Sequence, residues 1–211
     1  MDFPKKKIFV GIDEVGRGPI AGPVTIGIFV VEKKHLVKVH QKLPGITDSK
    51  KLTEAKRNYY KNIVDDLVQQ GWCSYYIAST SAEIIDRDGI SNAIKISIKR
   101  GLSSFSKELR IKDLKISDTY VFLDGGLRIS HEWNQETIIR GDSSNWLIST
   151  ASVLAKVHRD TKMLRLAKKF SGYHLDAHKG YGTKQHYQAI KQQGISEIHR
   201  ASWIKANKHE S

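Results

Sequence analysis

The chain reads as an α/β layered domain with a mixed sheet. An early β-rich segment gives way to alternating helical and strand patterns, and acidic residues recur where the strand patterns end. Together these predict a central sheet flanked by helices, with a helical appendage at the C-terminus.

Lys7 to Ile12 reads as a strand that runs into Gly11-Ile12-Asp13-Glu14. After a turn-rich stretch, Val24 to Val31 is an apolar, β-branched run with the pattern of a buried strand. Pro44-Gly45 marks a loop, continued by Ile46-Thr47-Asp48-Ser49-Lys50-Lys51. From Thr53, Ala55, Tyr59, Ile63 and Leu67 recur at a spacing of four, widened by Tyr60, Val64 and Val68, and Gly71 closes this amphipathic helix. Trp72 to Thr80 reads as a strand, and Ser81 starts a short helix. Ser91 is the expected cap of a further helix carrying Ile94, Ile98, Leu102 and Phe105 on one face. Tyr120 to Leu123 and Thr137 to Ile139 read as strands, ending at Asp124-Gly125-Gly126 and Arg140-Gly141-Asp142. A long helix is expected from about Trp146 to Phe170, then a Gly/His/Tyr loop from Gly172 to Gly182, then a helix from Thr183 to Gln193 ending at Gly194. No repeat or linker cuts the chain. Residues 1–170 read as the core and 171–211 as a basic, helical appendage of the same domain.

A chain of 211 residues buries roughly 70% of its unfolded surface as one domain. The single Cys73 excludes an internal disulfide framework and a multi-cysteine zinc site, and it reads as a small buried hydrophobe. No run of 18 apolar residues exists, and Met1-Asp2-Phe3-Pro4 has no apolar segment behind it, so a cytoplasmic protein without a membrane partner is expected. The net charge is +13, of which +8 falls between Lys156 and Ser211, where twelve basic residues face four acidic ones. A polyanion lying across one side accounts for that asymmetry, and a merely solubilising surface is the alternative.

The acids at strand ends carry the chemistry. Asp13 and Glu14, Asp124, and Asp142 each follow a strand pattern, and α/β sites collect at strand ends. Converging carboxylates repel and raise one another's pKa, a cost that a divalent cation removes. Hard oxygen donors without cysteine favour Mg²⁺ or Mn²⁺, and two such ions activate water and steady a leaving oxygen in phosphoryl displacement. The plainer reading is that these are turn carboxylates, since Asp-Gly is a common turn pair. Gly16-Arg17-Gly18-Pro19-Ile20-Ala21-Gly22-Pro23 fails as a dinucleotide fingerprint, because its third glycine falls one residue late and two prolines interrupt any helix. What remains is a rigid loop with exposed amides and one arginine beside two carboxylates, suited to close approach to a sugar–phosphate backbone.

The run from Gly11 to Val24 resembles the signature of type 2 ribonuclease H, the ribonuclease HII family. So do Thr47-Asp48-Ser49-Lys50-Lys51-Leu52, Leu123-Asp124-Gly125, Gly141-Asp142-Ser143, the stretch from Ser149 to Asp160, and His178-Lys179-Gly180-Tyr181-Gly182-Thr183 followed by Ile198-His199-Arg200. The matches lie in family order across residues 8–203. The resemblance implies an RNase H-like fold and cleavage of RNA in RNA–DNA hybrids. It also implies incision beside single ribonucleotides in duplex DNA, a step in ribonucleotide excision repair, leaving a 3′-hydroxyl and a 5′-phosphate with Mn²⁺ or Mg²⁺ as cofactor. It places the site carboxylates on Asp13, Glu14, Asp124 and Asp142, with the first three as metal ligands. It gives Gly16, Arg17 and Gly18 the 2′-hydroxyl at the RNA–DNA junction, and Tyr181 the adjoining deoxyribose.

Reading a 2′-hydroxyl is how a protein tells RNA from DNA, and glycine-loop amides can do so at close range. Lys50 and Lys51 are candidate phosphate contacts, which position without specifying. Asp160 falls close to an apolar helix stripe and is expected to be paired with Lys156 or Arg159, as the rival to Asp142 for the fourth carboxylate. His174 and His178 lack a zinc pattern, and His199-Arg200 carries no physical role that the residues alone reveal. Gly126 departs from the Asn or Lys of many relatives, which touches only the local loop shape. No sliding-clamp motif follows Trp203, and a monomer is expected. Two rival readings are another nuclease of this fold acting on branched DNA, and a non-catalytic nucleic-acid-binding module.

Overall fold

The computed structural model describes residues 4–111 and 114–206. Strands β1 (Ile8–Val15) and β2 (Val24–Glu32) form an antiparallel pair, and a 3₁₀ turn (Lys33–His35) leads into helix α1 (Leu36–Lys42). Helix α2 (Glu54–Gln69), strand β3 (Cys73–Thr80), helices α3 (Ala82–Asp88) and α4 (Ile90–Ile111), and a second 3₁₀ turn (Ile116–Asp118) follow. Strands β4 (Thr119–Asp124) and β5 (Asn134–Ile138) precede α5 (Gly141–Ser144), α6 (Trp146–Lys169), α7 (Leu175–His178), α8 (Lys184–Gln193) and α9 (Ala201–Ala206). The five strands lie in the order β3-β2-β1-β4-β5. The β3-β2-β1 pairings are antiparallel and the β1-β4-β5 pairings parallel, so the sheet is mixed, as the sequence predicts.

Helices cover both faces of the sheet, which explains why β1 and β2 are apolar at nearly every position. On one face Ile8, Val10 and Ile12 pack with Ile94, Ile98, Leu102 and Phe105 of α4. On the other, Phe9, Phe29 and Val31 pack with α2 and the start of α6. Two glycines set how closely α6 approaches. A Cβ on Gly11 would lie 2.2 Å from the Leu147 carbonyl carbon, and one on Gly27 would lie 2.2 Å from the Ala151 oxygen. With no side chain at either place, the α6 backbone rests directly on the centre of the sheet. Trp146 through Ala155 are consequently all buried.

The helix boundaries follow local chemistry. Thr53, Ser81, Asn145 and Thr183 cap α2, α3, α6 and α8 through their side-chain oxygens. Gly71 (φ 70°) ends α2, with Gly71 N–H donating to Val68 O and Trp72 N–H to Leu67 O, a Schellman arrangement.

The structure also departs from the sequence reading. The buried face of α2 is Tyr60, Val64 and Leu67, whereas Tyr59 is exposed, because the stripe faces α6 and β3 rather than running along the spacing of four. Ser91 does not cap α4; the helix starts one residue earlier, directly after Gly89 (φ 80°), whose carbonyl accepts from Ala93 N–H. Strand β5 begins three residues earlier than expected and stops before Ile139, which is 84% exposed. The Gly172–Gly182 loop contains the short helix α7. The C-terminal segment packs Tyr173, Leu175, Ala189 and Ile198 around Met163 of α6 and Ala21. Cys73 is buried, and burial pushes its thiol up to about 12. No helix among the described residues is long and apolar enough to cross a membrane.

Candidate active site

Parallel pairing of β1 and β4 sets Ile12 opposite Leu123, so the next residues, Asp13 and Asp124, emerge side by side at the strand ends. Glu14 follows on β1. One carboxylate oxygen from each of Asp13, Glu14 and Asp124 lies within 4.8 Å of the other two. Asp142 stands outside this group of three but lines the same cleft. It arrives there through a sharp turn at Arg140 (φ 55°), and its backbone N–H donates to Asp124 Oδ1 at 3.2 Å. Gly141 lets that turn seat, since a Cβ there would lie 2.5 Å from Ile148 Cδ1 and 3.3 Å from Asp124 Oδ1.

Burial dominates the electrostatics. Asp13 is buried, and desolvation raises its pKa well above the carboxylate range; Glu14 and Asp124 push the same way, while bonds from Ser152 and the Glu14 N–H (2.7 Å) oppose it. Glu14 is raised mainly by burial, against the pull of Arg17 at 3.4 Å from Oε1. Its other oxygen, Oε2, is buried and has no hydrogen-bond partner among the described residues. Asp142 is raised by burial, then by Asp124 and Asp48. Three clustered acids, two of them forced toward protonation and one with an orphaned oxygen, fit a divalent cation held by Asp13, Glu14 and Asp124.

The cleft has a volume of about 450 Å³, and Gly16, Arg17, Gly18, Lys50 and Tyr181 also line it. Tyr181 is 41% exposed, and its ring edge lies 3.9 Å from where a Gly18 Cβ would stand. Lys50 is exposed beside Asp48, whose Oδ1 accepts the Lys50 N–H. Lys51 Nζ instead donates to Ser143 Oγ at 3.1 Å. A larger hollow of about 640 Å³ borders α4, Arg128 and Trp133, but among the described residues Glu132 is the only carboxylate in its wall. Converging acids, not volume, therefore set the first cleft apart.

Asp160 is held in ion pairs. Its oxygens meet Lys156 Nζ at 2.7 Å and Arg57 at 3.6 Å, and Arg57 also donates to Ser49 and Leu52 carbonyls. The sequence reading expected Lys156 and missed Arg57; Arg159 points elsewhere, to the carbonyls of Ala21, Pro23 and Lys179. Ser152 was missed too, since nothing in a helical pattern marks the serine that faces a strand-end acid. His178 is no metal ligand in this arrangement: its Nδ1 accepts from Gly180 N–H, and Nε2 donates to the Tyr173 carbonyl. Arg200, unexplained from sequence, grips the Gly16–Gly22 loop.

A mixed sheet with acids at the ends of adjoining parallel strands defines a protein of the RNase H-like class. The crystal structure of ribonuclease H2 from Pyrococcus horikoshii OT3 has the same fold, with a TM-score of 0.65 at 22% identity, covering 95% of this chain and 96% of that one. The chain belongs to the ribonuclease HII family, whose profile matches residues 10–206. It is 35% identical to ribonuclease HII of Caldicellulosiruptor bescii over 94% of this chain and 87% of the relative. It is 41% identical to ribonuclease HII of Prochlorococcus marinus (strain AS9601) over 94% of this chain and 90% of the relative. The chain is thus an enzyme of the RNA–DNA hybrid endonuclease class.

Proposed function

We propose that this ribonuclease incises duplex DNA on the 5′ side of single embedded ribonucleotides, as well as cutting the RNA strand of RNA–DNA hybrids, and so serves ribonucleotide excision repair in the cytoplasm. The observation that carries this reading is one cleft holding both the Asp13, Glu14 and Asp124 cluster and the Gly16–Gly18 loop. Asp13, Glu14 and Asp124 would hold divalent cations, Mg²⁺ or Mn²⁺, which would supply Lewis acidity for activating water and stabilising the leaving oxygen.

The protein's own groups do the rest. The loop amides of Gly16, Arg17 and Gly18 meet the 2′-hydroxyl, the donor and acceptor that only RNA presents. Tyr181 packs against the deoxyribose on the other side of the junction. Lys50 holds a neighbouring phosphate and sets register. Asp142, whose pKa is raised by burial and by Asp124, gives a proton to the departing 3′-oxygen. Water adds to phosphorus, the P–O3′ bond breaks, and the products are a 3′-hydroxyl and a 5′-phosphate on the ribonucleotide. The chain is read as acting as a monomer.

The test is incision of a labelled duplex containing one ribonucleotide, with Mg²⁺, Mn²⁺ or EDTA. Incision with either metal and none with EDTA is expected. Absence of incision with both metals overturns the reading. Cleavage of branched all-DNA substrates instead would favour the rival DNA nuclease.

A further inference from the structure

Arg159 of α6 and Arg200, just before α9, are both 0% exposed. Neither forms an ion pair with a carboxylate among the described residues. A buried charge without a counter-charge is tolerated only when dense hydrogen bonding replaces its water. Here backbone carbonyls do so. Arg200 donates to Arg17 O at 2.8 Å, to Gly16 O at 2.6 Å, and to Gly22 O at 3.1 and 3.2 Å. Arg159 donates to Pro23 O at 3.0 Å, Ala21 O at 3.2 Å and Lys179 O at 2.9 Å. The two guanidiniums thus grip the glycine loop at both ends. A Cβ on Gly16 would stand 2.3 Å from Arg159 Nε, so the loop is pressed onto them. The C-terminal segment adds backbone bonds, Gly22 N–H to Ile198 O and Arg200 N–H to Ile20 O, both at 2.8 Å.

This grip has a geometric consequence. In a trans peptide the C=O and the following N–H point in opposite directions, and the described chain has no cis bonds. With Gly16 O and Arg17 O turned inward onto Arg200, the N–H groups of Arg17 and Gly18 point away from it. Those residues line the cleft, and neither amide donates to an acceptor among the described residues.

We propose that Arg200 is a positioning residue for ribose recognition: it fixes two peptide planes so that the Arg17 and Gly18 amides are held ready for the substrate's 2′-hydroxyl. Arg159 braces the far end of the same loop. The inference rests on the proposed reading that this loop meets the 2′-hydroxyl, and it deepens that reading by naming what gives the loop its shape.

The test compares single-turnover cleavage of two duplexes that differ at one sugar, a ribonucleotide or its 2′-fluoro counterpart. Wild-type protein is expected to cut the ribonucleotide duplex far faster. In Arg200→Lys, which keeps the charge and loses the fork, ribonucleotide cleavage is expected to fall about tenfold or more, while cleavage of the 2′-fluoro duplex and substrate affinity stay unchanged. The ratio between the two sugars therefore narrows. Leu67→Ala, which opens the packing of α2 in a cluster that contains no residue of the loop, should lower the Tm and leave that ratio intact. An Arg200→Lys protein that keeps the wild-type ratio, or loses both activities in step, overturns the proposal. Should Arg200→Lys fail to fold by circular dichroism, Arg159→Lys is judged by the same ratio. Equal cleavage of both duplexes by wild-type protein would instead sink the 2′-hydroxyl reading beneath it.

Discussion

Asp13 is the most constrained acid in the cleft, buried between the sheet end and Ser152 of α6, with Glu14 and Asp124 beside it. Its raised pKa has a definite sign. The folded, ion-free protein binds protons that the unfolded chain releases, so this carboxylate favours folding less as pH rises above the ordinary carboxylate range and through its raised value. Glu14 acts in the same direction. A cation that replaces those protons should stabilise the fold. Added Mg²⁺ or Mn²⁺ is expected to raise the Tm at pH 7.5, less so near pH 5, and hardly at all in Asp124→Asn; a pH-independent shift retained in that variant would contradict the ligand assignment. Asp13→Asn and Asp124→Asn are each expected to bind hybrid in a gel-shift assay yet to lose roughly a thousandfold or more in cleavage. The acids were legible in sequence because strand patterns stop beside them. Ser152, Arg57 and Arg159 were not, since a helical pattern reports which face is apolar but not which buried polar side chain reaches a partner distant in sequence.

Helix α6 and the histidine-bearing loop behind Tyr181 decide whether those residues meet. The α6 backbone sits on Gly11 and Gly27, so Gly11→Ala forces a Cβ into the Leu147 backbone. Such overpacking costs about 1–3 kcal/mol or more, and a lower urea midpoint together with weaker metal stabilisation is expected, because Asp13 follows two residues later on β1. Behind Tyr181, His186 Nδ1 donates to the Tyr181 carbonyl, His186 Nε2 accepts from His199 Nε2, and His199 Nδ1 accepts from Ser196 N–H. Burial lowers His186 to about 4 from an ordinary 6.5 and lowers His199 as well. The unfolded chain then binds protons that the fold refuses, so this contribution is full above 6.5 and is lost as pH falls toward 4. Urea midpoints should drop between pH 7 and pH 5, and the drop should shrink in His186→Gln. The main strands and the helices α2, α3, α4, α6 and α8 could be read from period and caps. Helices α1, α5, α7 and α9 could not, since four to seven residues carry little repeating pattern, and α1, α5 and α7 lack the side-chain cap that marks the equally short α3.

At the scale of the whole molecule, charge and chemistry divide the labour. The +13 net charge, +8 of it beyond residue 155, is expected to draw a polyanion toward a cleft lined by Asp13, Glu14, Asp124 and Asp142. The logarithm of the affinity for hybrid should accordingly fall linearly with the logarithm of salt concentration, with a slope of roughly 0.7 to 0.9 per phosphate neutralised; a flat dependence in fluorescence anisotropy would remove the electrostatic footprint. The C-terminal segment is more than a basic surface, because Arg200 and Ile198 tie it to the Gly16–Gly22 loop. Sequence made its charge visible and hid that bond, since a basic residue near a chain end reads as exposed until the fold shows it buried. The most direct measurement is mapping, at single-nucleotide resolution, of the cut made in duplex DNA that carries one ribonucleotide. A single Mg²⁺- or Mn²⁺-dependent cut on the 5′ side of the ribonucleotide, leaving its 5′-phosphate and vanishing when that sugar is deoxyribose, is the expected result; cutting that ignores the sugar, or persists in EDTA, would contradict it.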